Sequence, residues 1–341
     1  MNYMLHHLSH TDLDGYGCQM VTKHYFDSAN FYNSNYGKEI NECFNQILDA
    51  IQNSSHENHV VLITDLNLTM DQAKEFEAKI TICEKKPHLL LLDHHKTGQE
   101  CSDACAWYFL DSSRCATKIT YDFFAHLYGH DANLCAFVDV VNAVDIWLED
   151  KPEFELGKVC MGMVSGAKEL NKIMFPKANQ TYLFSLLKEA QSYFTCKNAH
   201  IVLDEHIHTL KKNFFKTTKD DTLSNLVSAY NVNLLSENKH LMQIHYKSYK
   251  GILTYNIGSV SIIGNDFLTA NPDFDFFMDV TSKKTISLRS NGKVDVSQMA
   301  AHLANGGGHH NASGGLLSSF KDAFTYDNIK AQVMTIIAAK G

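Results

Sequence analysis

Arginine is nearly absent from this chain. Of thirty basic residues only Arg114 and Arg289 are arginines, so each marks a place where a rigid fork of donors deserves a reason. A basic surplus is absent too. The formal net charge of −8 excludes a long, non-specific grip on duplex DNA, but not a small anion held in a local pocket. No uninterrupted apolar run reaches the roughly 18 residues that span a bilayer, so a membrane is not an expected partner. The segment "MNYMLHHLSH" has neither a basic stretch nor a cleavable apolar one, and the expected compartment is the cytoplasm. Paired cysteine motifs are also lacking. Nine cysteines, all at or before Cys196, give an odd count with no CxxC and no disulfide framework, which points to reduced, mostly buried thiols. Cys101 and Cys105 lie four apart, but no second pair of soft ligands stands at zinc spacing.

What is present is a two-part pattern. A length of 341 residues suits two domains. The expected division is a catalytic domain over 1–190, a helical connector over 191–224 and a second domain over 225–341. In the first part, strand-like runs at 3–9, 59–64 and 88–93, and a weaker one at 30–36, alternate with helical spacing at 15–26, 40–51 and 70–80. Helices at 115–128 and 133–147 follow. Continuous apolar strands separated by helices predict an α/β fold, a parallel sheet covered by helices on both faces. In the last part, "HLMQIHYKS", "GILTYNI", "DFFMDVT" and "KTISLRS" read as strands of a smaller mixed α/β domain, and 296–304 as a helix entering "NGGGHHNASGG".

In open α/β sheets ligands collect at the carboxyl ends of the strands. "SHTDLDG" places His10, Asp12 and Asp14 after the first strand, Asp65 follows "VVLIT", and Asp93, His94 and His95 follow "LLLL". Asp145 lies in "NAVDIW", inside an otherwise apolar helix face. Singly each has a plain explanation: Asp12 or Asp14 as a helix cap, Asp145 as a paired buried acid, His10 as a satisfied histidine. Together they crowd several carboxylates, which repel unless cations hold them. Oxygen donors mixed with imidazole suit Mn²⁺, or Mg²⁺ where nitrogen is scarcer. Two cations could then activate a water against phosphorus and neutralise the leaving oxygen. The glycine cluster, with Gly306, Gly307, Gly308, His309 and His310, lets backbone N–H groups approach an anion, and Arg289 adds a fork nearby; a loop from helix to strand is the plainer alternative.

These motifs, in this order, resemble those of the DHH phosphoesterase superfamily. "SHTDLDG", Asp65, "DHH" and Asp145 are similar to its four catalytic motifs, and "GGGHHNASGG" to that of its DHH-associated C-terminal domain. The resemblance implies a parallel-sheet domain and a smaller mixed domain with a cleft between them. It also implies two divalent cations, one held by His10 and Asp12, the other by Asp14, His94 and Asp145, with Asp65 bridging. Asp93 would orient a ligand histidine, His95 would face the scissile phosphate, and Arg289 with the Gly306–His309 loop would grip the far end of the substrate.

The single residue between His10 and Asp12 resembles the oligoribonuclease branch that degrades nanoRNA. The expected activity is therefore a Mn²⁺-dependent phosphodiesterase that trims very short single-stranded RNAs or linear dinucleotides to mononucleotides. Cyclic dinucleotides and 3′-phosphoadenosine phosphate are the alternative substrates, and a non-catalytic nucleotide-binding regulator is the rival from another class. A homodimer is the expected assembly if the chain self-associates. Arg114, in "DSSRCAT", is open between a substrate phosphate and a surface role.

Overall fold

The computed structural model describes residues 3–26, 28–218 and 220–340. Two compact units emerge, one from residues up to Gly166 with Leu183–Ile207, the other from Ala167–Tyr182 with His208 onward.

The first unit grows from βα alternation: β1 (Met4–Ser9), α1 (Leu13–Tyr25), β2 (Ala29–Asn33), α2 (Lys38–Gln52), β3 (His59–Thr64), α3 (Met70–Ile82), β4 (His88–Asp93), α4 (Gln99–Ala104), β5 (Tyr108–Leu110), α5 (Ala116–Tyr128), α6 (Ala132–Asp145) and α7 (Phe154–Ser165). The five strands form one parallel sheet in the order β2-β1-β3-β4-β5. The strands and helices expected from periodicity are all there; β5, only three residues long, is too short to carry a periodic signal.

One face of the sheet packs against α2 and α3. Leu8, Val61, Ile63 and Leu91 from the strands meet Ile40, Phe44, Ile47 and Ile51 of α2 and Phe76 of α3, all of them buried. Phe44 and Phe76 stack with ring centroids 3.8 Å apart and 2° between planes. α1 and α5 lie against the opposite face. A sheet sandwiched in this way needs strands that are apolar on both sides, which is why "VVLIT" and "LLLL" show no alternation. After β1 the chain turns first to β2 on one side and then to β3 on the other, so the order switches at β1. A crevice at the carboxyl ends of β1 and β3 is the geometric result. All nine cysteines are free thiols, and Cys101 and Cys105 sit in the α2–α3 core, where the Cys101 thiol donates to the Leu68 carbonyl at 3.2 Å.

The helical middle comprises α8 (Pro176–Ala190), α9 (Ala199–Phe215), α10 (Leu223–Glu237) and the short α11 (Lys239–Met242). The second unit then adds β6 (Gln243–Tyr246), β7 (Tyr249–Tyr255), α12 (Val260–Ala270), β8 (Phe276–Val280), β9 (Thr285–Ser290), α13 (Val296–Ala304), β10 (Gly307–His309), β11 (Ala312–Leu316) and α14 (Tyr326–Lys340). Its mixed sheet runs β10-β11-β9-β8-β7-β6, with only β7 and β8 parallel. Phe267, Phe274, Phe276 and Phe277 anchor its core. Among the described residues no helix is long and apolar enough to cross a membrane.

Replacing Phe44 by Ala removes one of two fully buried, stacked rings. The expected cost is about 3–5 kcal/mol, seen as a lower urea midpoint for the transition of the first unit, with Phe44→Leu intermediate. An unchanged midpoint would mean that the stack is not what fixes α2 on the sheet.

Candidate metal and phosphate site

Three strand ends and one helix end deliver the site. The turn after β1 supplies His10 and Asp12. Asp12 caps α1 by accepting from the Gly15 amide at 3.0 Å, while a Cβ on Gly15 would lie 2.3 Å from the His10 carbonyl oxygen. Only glycine lets α1 start this close to the strand end. Asp14, in the first turn of α1, is buried and accepts from the Ala116 and Thr117 amides at 2.8 and 2.7 Å. Those amides begin α5, so the positive end of that helix holds the carboxylate in place. Asp65 follows β3 in a left-handed conformation (φ 56°), one that aspartate tolerates better than most residues. His94 and His95 follow β4, and Asp145 is the last residue of α6.

These residues converge. His10 Nδ1 lies 2.7 Å from Asp12 Oδ2 and 3.7 Å from Asp65 Oδ2. His94 Nε2 lies 3.4 Å from Asp65 Oδ1, 3.5 Å from Asp145 Oδ2 and 3.7 Å from Asp14 Oδ2. Asp65 thus stands between two imidazoles and turns a different oxygen to each. The six residues expected to ligate metal are therefore brought together within the first unit.

The electrostatics show what the arrangement lacks. Burial, and then the neighbouring Asp14 charge, push the Asp65 carboxyl well above the usual range. The same two causes raise Asp145 to about 8. A carboxylate on the last turn of a helix also faces the negative end of its dipole. For His10, burial disfavours the charge, but the hydrogen bond to Asp12 and the negative charges of Asp12 and Asp65 outweigh it and raise the ring to about 9. Asp12, despite its own burial, is pulled down to about 2 by His10. Asp65 Oδ2 and Asp145 Oδ2 are buried without a hydrogen-bond partner. Orphaned carboxylate oxygens beside imidazole nitrogens are the donor set of a hard or borderline divalent cation, so the residues fit such ions.

Beside this cluster runs a second chain of contacts. Asp93, fully buried, accepts from the Tyr108 hydroxyl at 2.6 Å through Oδ2 and binds His95 Nδ1 at 2.7 Å through Oδ1. His95 Nε2 meets the Tyr36 hydroxyl at 3.0 Å, and the Tyr36 ring lies 4.7 Å from that of His10. Asp93 therefore orients His95 and not the neighbouring His94. The two histidine rings are nonetheless neighbours, with centroids 4.2 Å apart, and ligand atoms of Asp65, His94 and His95 lie within 4.8 Å of one another. Tyr36 and Tyr108 were not foreseen. The signal for Tyr108 is a tyrosine in a three-residue edge strand, and Tyr36 lies in the polar turn after β2; neither makes a motif.

Arg114 donates from Nε to Asp111 at 2.7 Å and pairs through Nη1 with Asp122, so its fork serves the local surface. In the second unit the glycine cluster is a hairpin, not an open loop. β10 pairs with β11, and β11 pairs with β9 so that Ala312 lies opposite Arg289. Gly308 has φ 148°, and a Cβ on Gly306 would lie 2.0 Å from the Gly314 carbonyl oxygen, so close packing of the hairpin itself requires glycine there. His309 and His310 are exposed, with His310 Nδ1 3.6 Å from Asp295. Arg289 spends donors on Ser261 Oγ at 2.7 Å and on the Leu288 carbonyl at 2.8 Å.

No protein-family model matches the chain. It is 42% identical to a 3′,5′-cyclic-nucleotide phosphodiesterase of Helicobacter pylori, an alignment that covers 97% of this chain and 98% of that protein. It is 25% identical to oligoribonuclease NrnB of Bacillus subtilis, over 91% of this chain and 72% of that one. The crystal structure of an uncharacterized protein from Helicobacter pylori G27 matches with a TM-score of 0.93 at 40% identity, over 99% of this chain and 100% of the other. Identity of 42% sustained along nearly the whole of both chains is common descent: this chain belongs to the DHH phosphoesterase superfamily, as a phosphodiesterase.

Proposed function

We propose that the chain is a two-metal phosphodiesterase that hydrolyses the 3′,5′-phosphodiester bond of small nucleotides. The observation that carries this reading is Asp65, placed between His10 and His94 with one oxygen toward each and Oδ2 unpartnered. His10, Asp12 and Asp65 would hold one divalent cation, and Asp65, Asp14, His94 and Asp145 the other. When bound, the cations supply Lewis acidity at phosphorus and activate the attacking water, and Mn²⁺ or Mg²⁺ suits the donors. His95, clamped at Nδ1 by Asp93, presents Nε2 to a phosphate oxygen or to the leaving oxygen and transfers a proton there. Tyr108 keeps Asp93 turned to that task. Arg289, Gly306, Gly307, Gly308, His309 and His310 would bind the substrate's terminal phosphate or base, Arg289 after exchanging its present partners.

Two substrates share the bond. The short spacing from His10 to Asp12 and the relative named as an oligoribonuclease favour linear dinucleotides and very short RNAs, released as mononucleotides in the cytoplasm. The relative at 42% identity favours a 3′,5′-cyclic nucleotide, and its coverage of nearly both chains gives that substrate the greater weight. One assay ranks them: turnover of RNAs of two to seven residues, 3′,5′-cyclic AMP, cyclic di-AMP and 3′-phosphoadenosine phosphate, with Mn²⁺, with Mg²⁺ and with chelator. Metal-dependent release of mononucleotide from the linear or the monocyclic substrate is expected. Turnover of none would refute the reading.

His94→Ala should lower kcat by at least about 100-fold, beyond what the loss of a supporting partner costs. In calorimetry it should also lose one of two Mn²⁺ sites while its circular dichroism stays unchanged. Wild-type Mn²⁺ stoichiometry in this variant would remove His94 from the ligand set.

The metal-free site also sets a pH dependence. A His10 raised to about 9 gives stability that is complete below its ordinary value near 6.5 and lost as pH climbs through 9. Asp145, at about 8 when folded, keeps a proton that the unfolded chain has released, so stability falls as pH rises from about 4 toward 8. Both shifts favour low pH in the absence of a cation, and a cation competes with both protons. The gain in melting temperature on adding Mn²⁺ should therefore be larger at pH 8 than at pH 6; equal gains would contradict the assignment of these two residues as ligands.

A further inference from the structure

α6 ends at Asp145, and the residues just beyond it cap the helix. The Leu148 amide donates to the Ala143 carbonyl at 2.7 Å and the Trp147 amide to the Val144 carbonyl at 3.3 Å, the paired bonds of a Schellman cap. The residue that gives the second of these amides takes the left-handed conformation, and glycine usually stands there because a Cβ is strained. Here it is Trp147, at φ 58°. A bulky side chain in that region is an outlier, and nothing in helix termination asks for one. The indole is pinned nonetheless. Its Nε1 donates to Glu149 Oε1 at 2.6 Å, and its ring meets Phe154 edge to face, centroids 5.0 Å apart. Even so, 57% of the residue is exposed. It stands two residues beyond a carboxylate that lies 3.5 Å from His94, and two residues of chain span at most about 7 Å.

We propose that Trp147 is the platform on which a base of the substrate stacks while its phosphate lies at the Asp65–His94 cluster. The inference rests on the small-nucleotide reading and adds a base subsite to it. A rigid, half-open indole offers a π-face to any base, so stacking there is tolerant of sequence and adds affinity without reading base edges. The strained cap then has a reason: the left-handed residue fixes the direction in which the indole leaves the helix end, and Glu149 and Phe154 fix its plane before substrate arrives.

The chain has only two tryptophans, and the other, Trp107, donates to Glu77 at 2.7 Å and packs against the α2–α3 core. Trp107→Phe therefore leaves Trp147 as the sole indole reporter. With Mg²⁺ present, this variant is titrated with a methylenephosphonate-linked, non-hydrolysable diadenosine dinucleotide and with its abasic counterpart. Saturable quenching by the base-bearing compound and little by the abasic one is expected. In parallel, Trp147→Gly should lower the ratio of kcat/KM for diadenosine over abasic dinucleotide by about tenfold, within the range of one base–aromatic stack. Trp147→Phe should keep most of that ratio, and Trp147→Gly should fold, since glycine relieves the cap. Absence of quenching, with the ratio unchanged in Trp147→Gly, would overturn the inference. If the wild-type chain hydrolyses small nucleotides all the same, the small-nucleotide reading survives alone; quenching without turnover of any linear or cyclic nucleotide would leave the base subsite standing and sink that reading. A shift of oligomeric state in Trp147→Gly, with unaltered kinetics and no quenching, would give the indole to a protein contact and also overturn the inference.

Discussion

Four carboxylates, those of Asp12, Asp14, Asp65 and Asp145, are held within reach of two imidazoles at the end of a parallel sheet, and the rest of the first unit exists to keep them there. Two like charges about 4 Å apart repel by about 4 kcal/mol at the effective dielectric found near protein surfaces. A few such pairs rival the whole 5–15 kcal/mol by which a domain is usually stable. Left to itself the cluster would spread or keep protons, and the raised Asp65 and Asp145 carboxyls show the second response. The scaffold prevents the first. β1, β3 and β4 are neighbours in one sheet, their apolar runs are clamped between helix layers, and the amides opening α5 fix Asp14 from behind.

Much of this was legible because its periodicities are strong. Uninterrupted apolar strands alternating with helices dictate a parallel sheet, and a parallel sheet brings its strand ends to one edge, so acids placed after "VVLIT" and "LLLL" meet without further information. Distance along the chain to Asp145 hid nothing either, since an acid set in an apolar helix face is itself a signal. What escaped notice was of a different kind. Tyr36 and Tyr108 act through hydroxyls whose partners lie 59 and 15 residues away, and no local pattern encodes such a contact. α12 was missed because "VSIIGNDFLTA" is apolar on too many sides for a helical stripe to stand out. The glycine cluster allowed both an anion loop and a plain connection; as a hairpin it departs from each, because close approach of two strands needs the same glycines that an anion would.

The Asp-His-His triplet shows how two identical neighbours come to take different roles. β4 ends at Asp93, and His95 two residues on is again in an extended conformation. The two rings remain neighbours, with centroids 4.2 Å apart, yet their polar contacts differ. A neighbouring pair of histidines is thereby divided: His94 is turned toward Asp14, Asp65 and Asp145, while His95 is turned back onto a buried acid and out toward Tyr36. The identical neighbours are thus not redundant, and their adjacency is what lets a single strand end serve two purposes. The same reasoning applies at the other margin of the site. A helix that had only to stop after Asp145 would stop on glycine; one that stops on tryptophan is aiming a side chain, and the strain in the Trp147 backbone marks the place where function was favoured over ease of folding.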